Sequence, residues 1–503
     1  MDDWDELDRA IGEMAGSGSA EVREDGEWLA DLASLRCEFH RQGKQSLVHL
    51  WSDSRNLTRR ITRVKERSGD RIVLEVQRFG RTKAGRLEFL RTDSPRSAGR
   101  ISREEFRSRL RRILCERFPD AEIDSLTASP DLEHSFSGLY VRGRMHEGSR
   151  AWAVLAVSPA ENAVAIEGML TFGILWLDWV RSHAGSRAVE GLRLFVPEGS
   201  SRALRERILG LSPAASCEIY ELVGAETRPE KMDAADVGNL DSSLIPRREI
   251  ESAIRAAGDA MTRIRRALPQ QAGAEGALEA RVVTGGESGG AREVAFGFRG
   301  LEFARWSHNG LLFGGSESWQ RLTHANAANL EKLLQDLELH RSSLAEDTNH
   351  PMYRAAPERW LEMLVLEDPS RIDAQLDRHQ LYSQVPALAA GDRGVLDLLG
   401  VTRRGRLVII ELKASEDIHL PMQAVDYWLR VRRHQREGDF QRHGYFAGAE
   451  LDAAAPLVYL VAPGFRFHPA GETVLRYLSS EIHVTRIGLN ENWRRGIRVI
   501  FRQ

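Results

Sequence analysis

Three charged residues interrupt the two apolar strand segments of residues 394–414, GVLDLLGVTRRGRLVIIELKA, whose other charges, Arg403, Arg404 and Arg406, gather at the expected turn of a β-hairpin. Asp397 falls in the first strand, and Glu411 and Lys413 fall in the second. A turn centred on Arg404 sets Asp397 directly opposite Glu411. The two-residue period of a strand then places Leu407, Ile409, Glu411 and Lys413 on one face. Burying unpaired charges is costly, so such groups pair with one another or bind a metal. Two carboxylates and an ammonium on one patch make a candidate site for chemistry on phosphate.

The flanking sequence adds polar groups at helical spacing. Gln423 and Tyr427, in QAVDY, lie one turn apart and face the same way. Glu358 and Glu362, in ERWLE, share a face by the same rule. Basic residues follow at Arg430, Arg432, Arg433 and Arg436, with further groups at Arg442 and His443 and at Arg494, Arg495, Arg498 and Arg502. A third set is Arg103, Arg107, Arg109, Arg111 and Arg112. Such residues give salt-dependent, sequence-independent affinity for nucleic acid, or form the wet side of an amphipathic helix.

This set resembles the PD-(D/E)xK phosphodiesterase superfamily, in the branch of RecB-like nucleases and archaeal mismatch-type endonucleases. Asp397 matches its first acid, Glu411-Leu412-Lys413 its ExK element, and Gln423 with Tyr427 its Q-x-x-x-Y helix. Glu358 to Glu362 resembles its upstream helix, and Asp368-Pro369 falls at its usual break. Leu396 stands where the family name places a proline. The resemblance covers residues 357–464. It implies a restriction-endonuclease-like α/β core, a mixed central sheet flanked by helices, and hydrolysis of DNA. Asp397 and Glu411 would hold Mg²⁺, with Mn²⁺ as a substitute, and the Leu412 backbone carbonyl would add a ligand. The chemistry agrees, since a hard cation on carboxylates activates water and offsets charge. Lys413 would lower the pKa of the attacking water or stabilise the charge that builds up. Gln423 and Tyr427 would orient phosphate or Lys413. One of Glu358 and Glu362 would complete the metal shell through water, and the sequence leaves open which. The alternative is a catalytically inactive nucleic-acid-binding protein with nuclease-like structural domains.

The remaining sequence supplies the scaffold. The whole chain of 503 residues is 42% hydrophobic and 28% charged with net charge −3, the profile of a globular protein with no global basic signal. Cys37, Cys115 and Cys217 form no disulfide framework, so a reducing cytoplasm is expected. The N-terminus lacks a signal-peptide pattern, and the longest apolar stretch, 169–180, is too short to span a bilayer, so no membrane is expected. Zinc spacing, a P-loop and a nucleophile elbow are absent; Gly285-Gly286 and Gly289-Gly290 read as a flexible loop within 270–291.

Four segments are expected: a β-rich module over 1–97, an α/β domain over 98–225, a linker, helices and hairpin over 226–356, and the nuclease-like domain over 357–503. Ser102 and Glu105 predict a capping box, ahead of a stripe at Phe106, Leu110 and Ile113. Residues 225–244 read as linker. One helix is predicted from Pro246 through Leu268, and Asn309-Gly310 marks a hairpin. Residues 98–225 also repeat the order of 357–503: hairpin, Trp-containing helix, isolated strand. Aligned, Val141 stands at Asp397, and Ala156 and Ser158 at Glu411 and Lys413, which predicts a degenerate copy without the chemistry. The chain would then be an intrachain pseudo-dimer with one centre, with further oligomerisation left open.

Overall fold

A computed structural model describes residues 3–503 except 17–19, 25–26, 33–34, 43–44, 53–54, 69, 78–84, 92–97, 125, 132–133, 162, 186, 225–227, 234–243, 269–276, 285–291, 315–318, 384 and 386–395. Gly285-Gly286, Gly289-Gly290, most of the expected linker, and Gly394 and Val395 lie outside the described residues. The fold is mixed α/β, with antiparallel and mixed sheets flanked by helices. It divides into two compact units, residues 1–101 with 253–357 and residues 102–252 with 358–503.

The first unit opens with helix α1 (Asp3–Gly16) and seven strands: β1 (Ala20–Glu24), β2 (Glu27–Asp31), β3 (Arg36–Gln42), β4 (Gln45–Ser52), β5 (Arg55–Arg67), β6 (Arg71–Gln77) and β7 (Gly85–Arg91). They pair antiparallel in the order β2-β1-β7-β6-β5-β4-β3. Leu7, Ile11 and Met14 of α1 share a buried cluster with Val22, Val48, Ile72 and Phe89 of the sheet. Residues 1–97 therefore carry α1 and a single antiparallel sheet, within a compact unit that also takes in residues 253–357.

The first sheet of the second unit follows helix α2 (Ala98–Arg117). This helix starts upstream of Ser102, so no capping box opens it there, but its stripe at Phe106, Leu110 and Ile113 is buried as predicted. Strands β8 (Glu122–Ile123), β9 (Tyr140–Glu147), β10 (Arg150–Val157), β11 (Ala188–Pro197), β12 (Cys217–Val223) and β13 (Arg228–Met232) lie side by side in chain order. Helix α3 (Ala163–Ser182) makes the crossover from β10 to β11, and α4 (Arg202–Ile208) the crossover from β11 to β12. Strand β13 corrects the linker reading of 225–244. It is a polar edge strand with Pro229 on it, and edges carry no apolar alternation to read. Helix α3 is long and apolar enough to cross a membrane, but 67% of that window is buried inside the protein.

The chain then forms α5 (Arg247–Ala256) and α6 (Gly258–Ala267), two helices where one was predicted. The break falls at Ala257, next to Gly258, whose glycine lowers helix propensity. A five-stranded antiparallel sheet follows: β14 (Leu278–Thr284), β15 (Arg292–Phe298), β16 (Leu301–Ser307), β17 (Gly310–Phe313) and β18 (Gln320–Arg321). Edge strand β14 occupies part of the expected loop, and Ser307 pairs with Gly310 across the expected hairpin. Leu330, Leu334 and Leu337 of α7 (Ala327–His340) are buried against this sheet, and α8 (Pro351–Arg354) follows. The fully buried Arg341 donates to the carbonyl oxygens of Phe298, Arg299, Met352, Ala355 and Ala356 at 2.6–3.1 Å.

The second sheet of the second unit repeats the plan of the first. Helix α9 (Pro357–Glu367) leads in, then come β19 (Leu376–Ser383), β20 (Leu398–Thr402), β21 (Leu407–Leu412), β22 (Leu457–Pro463), β23 (His483–Leu489) and β24 (Val499–Arg502). Helix α10 (Leu420–Glu437), followed by α11 (Asp439–Arg442), links β21 to β22, and α12 (Ala470–Arg476) links β22 to β23. In both sheets the neighbours run antiparallel, antiparallel, parallel, parallel, antiparallel. One apolar cluster joins them through the helices between: Leu155 and Leu194 from one sheet, Ile409 and Leu460 from the other, with α3 and α10 residues shared.

The turn between β20 and β21 fixes the register of the site. Val401 pairs with Leu407 and Leu398 with Ile410, so the turn centres on Arg404. Gly405 takes φ +85°, and a Cβ there would come 2.0 Å from the Glu450 carbonyl oxygen. Gly405→Ala combines left-handed strain with that overlap, and is expected to cost about 2 kcal/mol or more of unfolding free energy. Urea denaturation of the two proteins measures it; equal midpoints would show that the turn tolerates a side chain.

Candidate functional site

Extending the β20–β21 register by one position brings Asp397 opposite Glu411. Both continue the face of Leu399 and Ile409, the face covered by α10. Asp397 stands immediately before the first residue of β20, and its Oδ2 accepts the Leu412 N–H at 2.9 Å. Glu411 remains in the strand and is 4% exposed. Its Oε2 is buried with no hydrogen-bond partner, an orphaned acceptor beside a second carboxylate. Lys413 Nζ lies 3.7 Å from Glu411 Oε1 and 3.4 Å from Asp417 Oδ2.

The electrostatics follow from this placement. Directly opposed side chains have Cβ atoms ~5 Å apart, and two unit charges at ~5 Å with an effective dielectric of ~20 repel by about 3 kcal/mol. Burial raises the Asp397 pKa against the opposing pull of the Leu412 N–H, Lys413 and Arg359. Burial and then the charge of Asp397 hold Glu411 well above the usual carboxylate range. Burial presses the Lys413 value down, but Glu411, Asp417, Asp397 and Glu358 together outweigh it and leave it raised. Lys413 is therefore an ammonium at neutral pH, while the carboxyl pair favours keeping a proton.

Helix α10 delivers the remaining polar groups. His419 precedes it, Asp417 accepts the His419 N–H, and Pro421 occupies the first turn. Gln423 and Tyr427 lie one turn apart on α10 and so share a face, and the charges of Glu411 and Asp397 act on Tyr427. Tyr427 is buried, and burial with the fields of Glu411 and Asp397 raises its pKa, so its phenol stays protonated. Gln423 Oε1 is a second buried acceptor with no hydrogen-bond partner. Arg430 continues the same face and is also buried.

Glu358 and Glu362 occupy different places. Glu358 Oε1 accepts the Ala414 N–H at 3.2 Å, and its charge acts on both Asp397 and Lys413. Glu362 is buried against Arg359 at 2.9 Å. Of the two, Glu358 is the one beside the carboxylate pair.

The basic residues do not form one open stripe. Arg430 is inside, and Arg432 donates to the Ala453 carbonyl and to Gln435. Arg433 pairs with Glu437 and Arg436 lies 4.0 Å from Glu481; these two face outward. Arg494 lies over the rings of Trp493 and Trp360, and Arg103 is paired with Glu161.

The predicted blank alignment is corrected by one residue. Leu460 and Leu194 each stand three residues before the proline that closes their strand, and they pair with Glu411 and Leu155 respectively. Leu155 in turn pairs with Arg142. So Arg142, Leu155 and Val157 occupy the places of Asp397, Glu411 and Lys413, whereas Val141 and Ala156 face α2. A slip of one residue exchanges the two faces of a strand. Arg142 is buried over the rings of Phe136 and Trp176, so this sheet has a cation where the other has a carboxylate.

Three groups escaped the sequence reading. Asp417 sits in a loop, and a lone acid there carries no pattern. Asp426 hides inside QAVDY, and its partner Arg207 is 219 residues away. Among the described residues, His434, Glu437 and Asp439 could geometrically hold a metal. There, however, His434 and Asp439 already bond each other at 2.6 Å and Asp439 also takes Arg442, the arrangement of an ion-pair network. A small cleft at the start of α10 is lined by Asp417, Leu420, Phe467, His468 and Arg486, and not by Asp397, Glu411 or Lys413.

Because Asp397 and Glu411 hold protons more tightly folded than unfolded, they favour the fold most at low pH and lose that contribution as pH rises through the raised values. In chelator at pH 8, Glu411→Gln should equal or exceed the wild type in unfolding free energy by roughly 1–2 kcal/mol, narrowing below pH ~4. Lys413 keeps Asp417 as partner in that variant. Urea denaturation at both pH values checks this; a less stable variant at pH 8 would contradict the raised Glu411 value.

No protein-family model matches this sequence and no curated protein matches it, which leaves the site to be read from its own geometry.

Proposed function

We propose that this chain is a metal-dependent nuclease of the PD-(D/E)xK type, hydrolysing DNA phosphodiester bonds at one centre in residues 357–503. The observation that carries the reading is the orphaned Glu411 Oε2, buried beside Asp397 and Lys413. A buried acceptor with no donor, next to a like-charged group, is costly for folding and is relieved by a cation. Strand order and directions support a restriction-endonuclease-like core, which the first sheet would repeat without its carboxylates.

Asp397 and Glu411 would hold the cation, with the Leu412 carbonyl as a further ligand; oxygen donors of this kind suit Mg²⁺, with Mn²⁺ as a substitute. When bound, such a cation supplies the acidity that activates a water and the charge that offsets the extra negative charge on phosphate. Lys413, an ammonium with no lone pair to accept a proton, stabilises the same developing charge rather than acting as a base. The protonated Tyr427 donates from α10, and Gln423 Oε1 is open to a donor from water or substrate. Glu358 holds the strand end through the Ala414 N–H, which keeps Lys413 facing the pair. Outward Arg433 and Arg436 would contact phosphates in a salt-dependent way.

A single centre predicts nicking. Supercoiled plasmid with Mg²⁺ should pass to open circles before linear product appears, at protein concentrations where the chain is monomeric. Lys413→Ala should slow nicking at least ~100-fold while leaving DNA binding within about twofold. Linear product rising in step with open circles would overturn the single centre. Identical behaviour of wild type and variant would favour a binding protein whose nuclease-like domains are structural.

A further inference from the structure

Helix α4, from the sheet that has Arg142 and Leu155 in place of the carboxylate pair, reaches the helix that serves the site. The buried Arg207 grips Asp426 of α10 with Nε at 2.8 and 2.9 Å from Oδ1 and Oδ2, and Nη2 at 2.6 Å from Oδ2. Its Nη1 donates to the Glu167 carbonyl of α3, so one guanidinium joins three helices. Beside it, a Cβ on Gly210 would come 2.3 Å from Val425 Cγ1, so the chain after α4 lies directly against α10. The gripped residue is flanked by Gln423 and Tyr427, the two polar groups that α10 turns toward the site.

We infer that Arg207 is a positioning residue for the carboxylate site: by fixing Asp426 it sets the rotation of α10 that aims Tyr427 and Gln423 at β21. This rests on the nuclease reading of that site. A fork-to-carboxylate contact constrains direction as well as distance, which a lone ammonium or an apolar contact does not. At the ~5–6 Å radius of a helix with its side chains, a turn of ~10° moves a side chain by about 1 Å, and a misplacement of that size lowers rates by about 100-fold. The opposite helix is held in the matching way: Asp178 of α3 accepts from the Tyr477 hydroxyl at 3.0 Å and from Arg476 at 3.4 Å, next to α12. Only on the α10 side does the grip stand beside a carboxylate pair.

The test compares wild type, Arg207→Met, Arg207→Lys and the double variant Arg207→Met/Asp426→Leu in Mg²⁺-dependent nicking, thermal unfolding and amide hydrogen exchange over 420–431. Glu411→Ala serves as the dead control. The double variant removes both buried charges, so it should regain the wild-type thermal midpoint even if Arg207→Met alone unfolds. Its kcat should nevertheless stay at least ~10-fold low with KM within about threefold, and α10 amides should exchange at least ~10-fold faster. Arg207→Lys should fall between. A double variant with full kcat and unchanged exchange would overturn the inference and leave the pair a structural ion pair. If wild type cleaves nothing, or Glu411→Ala cleaves equally well, the nuclease reading fails instead. Exchange then decides the positioning role: faster exchange in the stably folded double variant supports it, and unchanged exchange overturns it.

Discussion

Everything at the carboxylate pair depends on a helix that is buried on two sides. Ten of the residues in α10 are buried, among them Leu420, Val425, Trp428 and Val431, yet the helix also carries Gln423, Asp426, Tyr427 and Arg430. One side lies on β21 and β22, and the other meets α4 and the start of α3. Close approach leaves no slack: a Cβ on Gly168 of α3 would come 2.9 Å from the His419 ring that precedes α10. Protein interiors packed to this density move as units, so the orientation of Tyr427 is set by the other sheet as much as by its own.

That constraint explains how the buried charges are tolerated. Asp397, just ahead of β20, takes the Leu412 N–H, Lys413 divides its charge between Glu411 and Asp417, and Glu358 holds the backbone just beyond. Each contact offsets part of the desolvation, but Glu411 Oε2 is left without a donor. A polar network that leaves two buried acceptors, Glu411 Oε2 and Gln423 Oε1, without donors is a poor way to stabilise a sheet and a good way to leave a place for a ligand. Leu155, at the matching position of the other sheet, shows that this ladder position folds with an apolar residue.

The hairpin and its register were legible because a buried strand writes its face in alternate residues, and the turn at Arg404 leaves only one pairing. The repeat was legible for the same reason, as matching runs of strands and helices. Its fine alignment was not: neighbouring residues of β10 are all small or apolar, so Leu155 and Ala156 are indistinguishable until the pairing with β11 assigns the face. Edge strands β13 and β14 were missed because a half-solvated strand needs no apolar alternation. Asp417 and the Arg207–Asp426 pair were invisible because their meaning is a distance in space, not a spacing in the chain.

The two sheets therefore differ most where they correspond most closely. At one ladder position stands Asp397, raised in pKa by burial; at its counterpart stands Arg142, lowered by burial and laid over Phe136 and Trp176. A cation at that point excludes a second cation, whatever else the sheet retains. In a dimer of identical chains such a change would strike both centres at once. Two sheets in one chain are free of that restriction, so one can carry Arg142 where the other carries Asp397 while also placing Arg207 against α10. The asymmetry is thus one that symmetry would forbid: the first sheet sets a buried guanidinium at the ladder position of Asp397, and α4 beside it holds α10 through Arg207 and Asp426.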